Sequence, residues 1–469
     1  MLDRLPLLPR SGALDIRHAA SRGLAWYRAA CARGVPSGRH PWLGTLGAAV
    51  AAVLLLAFAG FLALILSHRI YLGNDSAQSY GHVWFLARSL FSGEGIPLTV
   101  PYLDGGRAPT FPYAAIPWLP TALLWPLLGD WAVTASMVLG AGLLILGLTR
   151  WLPRTASPLV MAAVLVNWQL WNSILQFQLP TVWAFAFVCF SAAYFDRDRP
   201  RLGAACAAVA LIAHPLMGAL GLVLVAIART EQARRLPLRR VPWLIGAILV
   251  ASPAIWMFAA TPAAGTAAAW NWKMSAHILV QRSSLLWWPW LCQRLFPITA
   301  RAHTPLLLIG ATLMVFMVRD SNPQNLRWQS LPRFPDYVLA RTAEPDARYR
   351  VLTMSNQEDG MVQLMQSGAI LTQSFFDESI RRHSFPSAEA YHCFLASKGA
   401  NHVLVNSEWV KRGKTNELLL LDTLVAQGDA VLAFQGSAGT RDYAIQPVSH
   451  TCPGLPPVRS VALAPREQD

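Results

Sequence analysis

The chain has 469 residues, 54% of them hydrophobic and only 14% charged, with a formal net charge of +14 and a mean hydropathy of +0.36. Soluble domains carry about 25% charged residues, and here the apolar residues come in long blocks, which excludes a wholly soluble chain. The positive charge does not point to a nucleic-acid partner, because the basic residues form short clusters between apolar blocks, the pattern that encodes membrane topology.

Residues 1–43 carry Arg4, Arg10, Arg17, Arg22, Arg28, Arg33 and Arg39. The first apolar run, 44–67, is too long for a signal-peptide core and long enough to span a bilayer, so its basic leader is expected in the cytoplasm. Further spans are expected at 131–149, 157–175, 178–195, 202–214, 215–228, 241–259 and 304–318. The clusters Arg150/Arg154, Arg197/Arg199/Arg201 and Arg229/Arg234/Arg235/Arg239/Arg240 fall between them. All three are cytoplasmic if 112–128 does not cross fully and 202–228 is a hairpin turning at His214-Pro215. Pro112, Pro117, Pro120 and Pro126 favour that topology, because an interrupted helix loses backbone bonds that lipid cannot replace. One kinked span over 112–128 is the alternative.

Two extracytoplasmic loops follow, 68–111 and the Trp-rich 261–303. The transmembrane domain thus covers 44–318. The basic residues are nearly all Arg, the lysines being Lys273, Lys398, Lys411 and Lys414. With abundant Ala, Leu, Pro and Trp this suggests a GC-rich bacterial genome, hence the inner membrane, crossed several times.

From about Arg319 the composition turns polar. Residues 319–347 read as a linker, 348–450 as a soluble α/β domain, and 451–469 as a flexible tail. Strands are expected at 349–354, 402–406, 430–435 and 442–446, and helices at 388–398 and 417–427. This domain lacks a Gly-rich phosphate loop, metal-spaced Cys/His and a nucleophile elbow. Cys393 and Cys452 are the only cysteines after Arg319, and they could pair if this region lies outside.

Chemistry-bearing residues concentrate in the first loop. After His68 comes Gly73-Asn74-Asp75-Ser76, then Tyr80-Gly81-His82-Val83-Trp84 with amphipathic spacing to Phe91. Asp75 and His82 are seven apart, on one helix face and roughly 10 Å from each other. A carboxylate there could accept a proton from a substrate hydroxyl; Asn74 or Asp75 could equally cap the helix, and His82 could simply be packed. Gly93-Glu94-Gly95-Ile96-Pro97, Asp104-Gly105-Gly106-Arg107 and Phe111-Pro112-Tyr113 follow.

With this order of acidic residue, helix, Gly-x-x-Pro turn, Gly-Gly turn and aromatic-Pro re-entry, the chain resembles the GT-C superfamily of membrane glycosyltransferases. More narrowly it resembles bacterial membrane proteins labelled "6-pyruvoyl-tetrahydropterin synthase-related", without any sign of pterin chemistry. The resemblance covers 44–260 in layout and is sharp in 73–113; the tail from about Arg348 to Val405, with Phe376-Asp377-Glu378-Ser379, resembles the soluble ends of such proteins. It implies a helical polytopic membrane protein with a GT-C-like core and a small C-terminal α/β domain lying outside, although simple parity of the spans puts that domain inside. It implies sugar transfer from a polyprenyl-phosphate donor to a cell-envelope glycan, lipid or protein, by direct, inverting displacement of a hexosyl or pentosyl group. Asp75 would be the general base and Asp104 a second acidic position. Asp75 is followed by Ser76 and not by another carboxylate, so no metal or other cofactor is implied. The departing phosphate needs a cation, and Arg107, Lys273, Arg282 and Arg301 are available. Headgroup contact would explain each of them as well. Trp270, Trp272, Trp287, Trp288 and Trp290 could stack on sugar or form an interfacial belt. His214, before Pro215 at a helix break expected on the outer side, is a further binding candidate or a satisfied turn histidine. A transporter or flippase of a lipid-linked intermediate, or a non-catalytic scaffold, are the competing functions.

Overall fold

The computed structural model describes residues 41–67, 75–112, 114–233, 240–260, 277–295, 347–352, 359–373, 385–405, 416–436, 440–449 and 451–452. The expected span 304–318, the linker 319–346 and the segment 261–276 lie outside the described residues.

Among the described residues four helices are long and apolar enough to cross a membrane. They are α1 (Pro41–Ser67), α4 (Trp131–Trp151), α7 (Leu179–Asp196) and α10 (Val241–Ala260). Between them run α2 (Asp75–Phe91), α3 (Ala115–Leu128), α5 (Pro158–Leu165), α6 (Trp168–Leu175), α8 (Pro200–Ala213) and α9 (Pro215–Ala233), with α11 (Ser284–Leu295) after α10. The central helix is α7, with 78% of its apolar stretch buried, against 22% for α1 and 17% for α10. It packs closely on α4 because Gly147 has no side chain: a Cβ there would stand 2.9 Å from the carbonyl oxygen of Ala186. Small residues at such crossings let helix backbones approach, which replaces the hydrophobic drive that lipid cannot supply.

The single span expected over 157–175 is instead two helices, α5 and α6, bent by 64°. The reason is Asn167, whose backbone leaves the helical region. Its side-chain oxygen accepts from the Gln169 amide at 2.9 Å and so starts α6 afresh. The chain also folds back sharply at His214-Pro215, so closely that a Cβ on Gly218 would lie 2.5 Å from the Ala210 carbonyl oxygen. The proline-rich 115–128 forms the 14-residue α3, with Pro120 and Pro126 inside it.

The second loop expected, 261–303, also needs correction, since it is not wholly a loop. A π-helical turn, His277–Arg282, leads into α11. Asn167 Nδ2 donates to the Ser284 carbonyl at 2.9 Å, while the Arg154 guanidinium donates to the Gln293 carbonyl at 3.3 Å. Helix α11 therefore runs antiparallel beside α5 and ends at the level of Arg154. Trp288 reaches inward to donate to the Ala163 carbonyl at 2.9 Å, which makes it a packing residue.

Helix α4 orders the molecule into two ends, about 31 Å apart at 1.5 Å per residue. At its C-terminal end the Arg150 carbonyl accepts from Arg197 at 3.2 Å. Asp196 pairs with Arg229, and Arg240 lies over the Phe195 ring at 5.8 Å. At its N-terminal end Asp130 meets Tyr80 of α2 at 2.7 Å, and Tyr80 meets Gln366 of the C-terminal domain at 3.2 Å.

That domain is a five-stranded sheet of order β4-β3-β5-β7-β6: β3 (Arg348–Leu352), β4 (Ile370–Leu371), β5 (His402–Val405), β6 (Ala430–Gln435) and β7 (Arg441–Ile445). β3 is parallel to β4 and β5, and β7 is antiparallel to β5 and β6. Helices α12 (Asp359–Gln366), α13 (Ala388–Lys398) and α14 (Glu417–Gln427) accompany it. Patterning anticipated α13, α14 and four of the strands; it missed α12 and β4. Cys393 and Cys452 form a disulfide, with Cα atoms 5.5 Å apart, so the folded domain extends past 450 into what was expected to be a flexible tail. The interior contains an ion pair, Arg350 to Glu417, joined by two hydrogen bonds of 3.0 Å.

The domain docks on the first loop through backbone bonds: Leu371 N–H to the Tyr102 carbonyl at 2.9 Å and Asp104 N–H to the Gln373 carbonyl at 3.1 Å. Tyr349, Val351, Met361, Met365 and Leu371 share one apolar cluster with Tyr80, Val83 and Leu103.

Candidate functional site

The backbone of Asp75 opens α2; its side chain lies outside the described residues. From Ser76 to Val83 every residue is buried, so the helix is enclosed on all sides through its first two turns. Its apolar positions Val83 and Leu86 therefore face neighbouring protein. Enclosure follows from α2 lying between α3 and the C-terminal domain.

His82 was read as a substrate-binding candidate or a packed histidine, and its surroundings are those of a packed one. It is 1% exposed, stacked on the Trp118 indole with centroids 4.5 Å apart, and its Nδ1 is 3.1 Å from the Thr110 carbonyl. Burial, partly opposed by that hydrogen bond, pushes its pKa down to about 3. The neutral ring donates to the carbonyl and pins the loop strand to α2 and α3, so His82 is a packing residue. Tyr80, next on the helix, has its pKa pushed far up, first by burial and then by the Asp130 carboxylate.

Two buried polar groups on α2 are unmatched. Nε2 of Gln78 and Oγ of Ser79 have no hydrogen-bond partner among the described residues. An unmade bond of this kind costs about 1–3 kcal/mol. Positions 78 and 79 follow Asp75 at the i+3 and i+4 spacing that shares a helix face.

Beyond α2 the loop forms the small hairpin β1 (Thr99–Val100) and β2 (Ala108–Pro109). Asp104, Gly105 and Gly106 all have positive φ between its strands, a conformation that two glycines make accessible. Arg107 is mostly exposed, donates to the Asp104 carbonyl at 3.2 Å and stands 3.8 Å from its carboxylate. This is a solvent-facing local pair, of the kind that contributes little to stability.

A second polar region gathers at the two helix breaks. Arg282 is half-buried and close enough for its charge to act on His214, whose ring lies 6.3 Å from Phe258. Two residues on, Ser284 touches Asn167. The segment 282–284 thus links the His214 break to the Asn167 break. From Asn167 a chain of amides and hydroxyls continues through α6. Gln169 donates to Ser173 at 3.0 Å and Ser173 to Gln178 at 3.0 Å. Gln178 in turn donates to Gln176 at 2.9 Å, and Gln176 to Asn172 at 3.0 Å. Non-helical backbone between apolar helices persists where protein encloses it and satisfies it in this way.

The structure therefore brings Arg282 to His214 but gives Asp104 and Arg107 a separate place on the docked loop. Trp270, Lys273 and Arg301 lie outside the described residues. The sequence reading overlooked Gln78, Ser79 and the amide chain. The signal was present, since Asn167, Gln169, Asn172 and Ser173 interrupt a stretch counted as a span. Among the described residues no group of three His, Cys, Asp or Glu side chains could hold a metal ion. No protein-family model, curated protein or solved structure matches this chain.

Proposed function

We propose that the chain is a multi-pass glycosyltransferase of the bacterial inner membrane with a GT-C-like core, moving a hexosyl or pentosyl group from a polyprenyl phosphate to a cell-envelope glycan, lipid or protein. The observation that carries this is the enclosure of the helix opened by Asp75, on the end of the molecule that bears the sheet domain. The arginines Arg150, Arg197 and Arg229 gather at the other end. Basic clusters favour the cytoplasmic side, so Asp75 and the sheet domain belong outside, and a Cys393–Cys452 disulfide suits that compartment.

Asp75 would accept the proton of the acceptor hydroxyl, a contribution of about 10²–10⁴ in rate, while a cation stabilises the departing phosphate. Arg282 is the described candidate for that cation, because it sits in an enclosed polar region; Arg107 faces solvent. The decisive experiment compares envelope lipids and glycans of a deletion strain rescued with wild type or with Asp75→Asn. Loss of one glycan on deletion, restored by wild type alone, is the expected result. Restoration by Asp75→Asn at normal protein level would remove Asp75 as base, and an unchanged envelope on deletion would favour a non-catalytic scaffold.

The break between α5 and α6 with its amide chain favours one alternative, a flippase for a lipid-linked intermediate, since discontinuous helices form substrate sites in transporters. Purified protein in liposomes that moves a lipid-linked sugar between leaflets without transferring it would select that function.

A further inference from the structure

At the end of the molecule remote from the sheet domain, arginines from several helices meet. The Phe195 ring of α7 is shared by two other helices. A Cβ on Gly203 of α8 would lie 2.8 Å from it, and the Arg240 guanidinium stands 5.8 Å from its centroid. Asp196, the next residue, pairs with Arg229 of α9. Ala204, Ala207 and Ala208 meet Leu244 and Ala247 in one apolar cluster, so α8 and α10 begin side by side and at one level. Arg199 and Arg201 at the head of α8 are exposed. So are Arg197 and Arg150, whose carbonyl accepts from Arg197. The carboxylates along the same segments are Asp196, Asp198 and Glu231, and Asp196 is engaged by Arg229. Like charges gathered this closely repel one another, and the excess of positive charge is one that a bound anion would neutralise. Next to the charges the surface turns apolar: Leu202 is 45% exposed, Trp243 37% and Ile245 52%. A tryptophan one turn from a cluster of cations is the arrangement found where helices leave a bilayer.

We propose that the joint head of α8 and α10 is a surface that binds the headgroup of an anionic phospholipid, with Arg199 and Arg201 on its phosphodiester and Arg240 adding to the positive field. The chemistry of the surface selects this partner. Guanidinium groups match the geometry of phosphate oxygens, and basic sites beside the ends of apolar helices take anionic headgroups. The exposed Leu202, Trp243 and Ile245 give the acyl chains an apolar wall next to the charges, which a soluble phosphate ester would leave bare. A choline headgroup carries its own cation, which the arginines repel. Both side chains on the phosphate are open to the surroundings, so the ligand needs no enclosed cavity. The surface lies at the opposite end of α4 from Asp130 and the sheet domain and is independent of the transferase proposal.

The test uses full-length protein in detergent and three probes: dioleoyl phosphatidylglycerol, dioleoyl phosphatidylcholine and sn-glycerol 1-phosphate, with bound lipid counted by native mass spectrometry. An arginine beside an anionic headgroup contributes about 5-fold, so wild type is expected to bind phosphatidylglycerol roughly 10- to 30-fold tighter than phosphatidylcholine. Arg199→Gln/Arg201→Gln alters only exposed side chains and should fold. It is expected to lower that preference by about 10-fold with affinity for phosphatidylcholine unchanged. Arg199→Lys/Arg201→Lys keeps the charge and should keep most of the preference, and Arg107→Gln, on the docked loop at the other end, should keep all of it. Equal binding of the two lipids by wild type overturns the site, as does a preference that survives the double glutamine variant. An equal fall in Arg107→Gln also overturns it, being the mark of diffuse charge attraction. So does displacement of the bound lipid by sn-glycerol 1-phosphate at equal concentration, the mark of a soluble phosphate ester as ligand. Sugar transfer can fail in every assay without altering these readings, and the lipid site can fail without altering transfer.

Discussion

Tyr80 donates a 2.7 Å hydrogen bond to the carboxylate of Asp130, and the same hydroxyl accepts one of 3.2 Å from Gln366. A single phenol thus joins the first-loop helix, the head of α4 and the sheet domain. Because burial and the neighbouring charge hold it protonated, the arrangement persists across the whole physiological pH range.

Tyr80→Phe is expected to destabilise the protein by about 1.5–3 kcal/mol, the range for a hydrogen bond to a charged group. Gln366→Leu removes only a neutral bond and should cost about 0.5–1.5 kcal/mol. Thermal denaturation ranks the two, and limited proteolysis should cut sooner within 347–373 in Tyr80→Phe. Equal losses would mean that Asp130 finds another donor.

The two ends of α4 predict opposite labelling. Ser367 is exposed beside the docked loop, and Arg197 is exposed at the basic end. A membrane-impermeant maleimide should label Ser367→Cys in spheroplasts, and Arg197→Cys only after permeabilisation. Reversal of the pattern would invert the orientation; labelling of both from one side contradicts the two-ended architecture itself.

The Arg350–Glu417 pair is buried on both sides, at 1% and 0% exposure. Removing one member strands the other charge, so Glu417→Gln or Arg350→Met should each cost about 3–5 kcal/mol. The double variant Arg350→Met/Glu417→Leu, apolar on both sides, should recover most of that loss. The thermal midpoint of the full chain is the measurement; strictly additive losses would show that the charges act independently.

His82 carries a pH dependence with a definite sign. Burial lowers its folded pKa to about 3, below the ordinary value near 6.5. The unfolded chain therefore binds the proton first as pH falls. The contribution is complete above about pH 6.5 and is lost progressively toward pH 3. Between pH 7 and pH 5 the wild type should lose about 2 kcal/mol more than His82→Gln, read from denaturation midpoints at the two pH values. Parallel profiles would mean that His82 is solvated in the folded protein.

Much of this arrangement was visible in the chain itself. Apolar runs of spanning length at 44–67, 131–149 and 241–259 are local sums of side-chain hydrophobicity, and helices form there whatever lies nearby. The α/β patterning of 388–445 is equally local. The break at Asn167 was missed because averaging over a window hides a single residue, although one side chain that caps a new helix outweighs its apolar neighbours. Helix α12 and strand β4 were missed because they are short and take their stability from docking on Tyr80 and Tyr102. The candidate site was legible only in part. Asp75 stands out by its position in the loop, whereas Gln78 and Ser79 look like ordinary polar residues of an exposed helix until burial marks them.

The amino-acid sequence by itself determined the long apolar helices, the longer strands and where the basic clusters fall, because each depends on residues within a few turns of one another. Tertiary structure alone decided that Gln366 reaches Tyr80 across 286 positions, that Ser284 meets Asn167 across 117, and that His82 is sealed beneath Trp118. A polar group that leaves water must find a partner somewhere in the fold. Which partner it finds depends on the geometry of distant segments, and no local property of the chain encodes that choice.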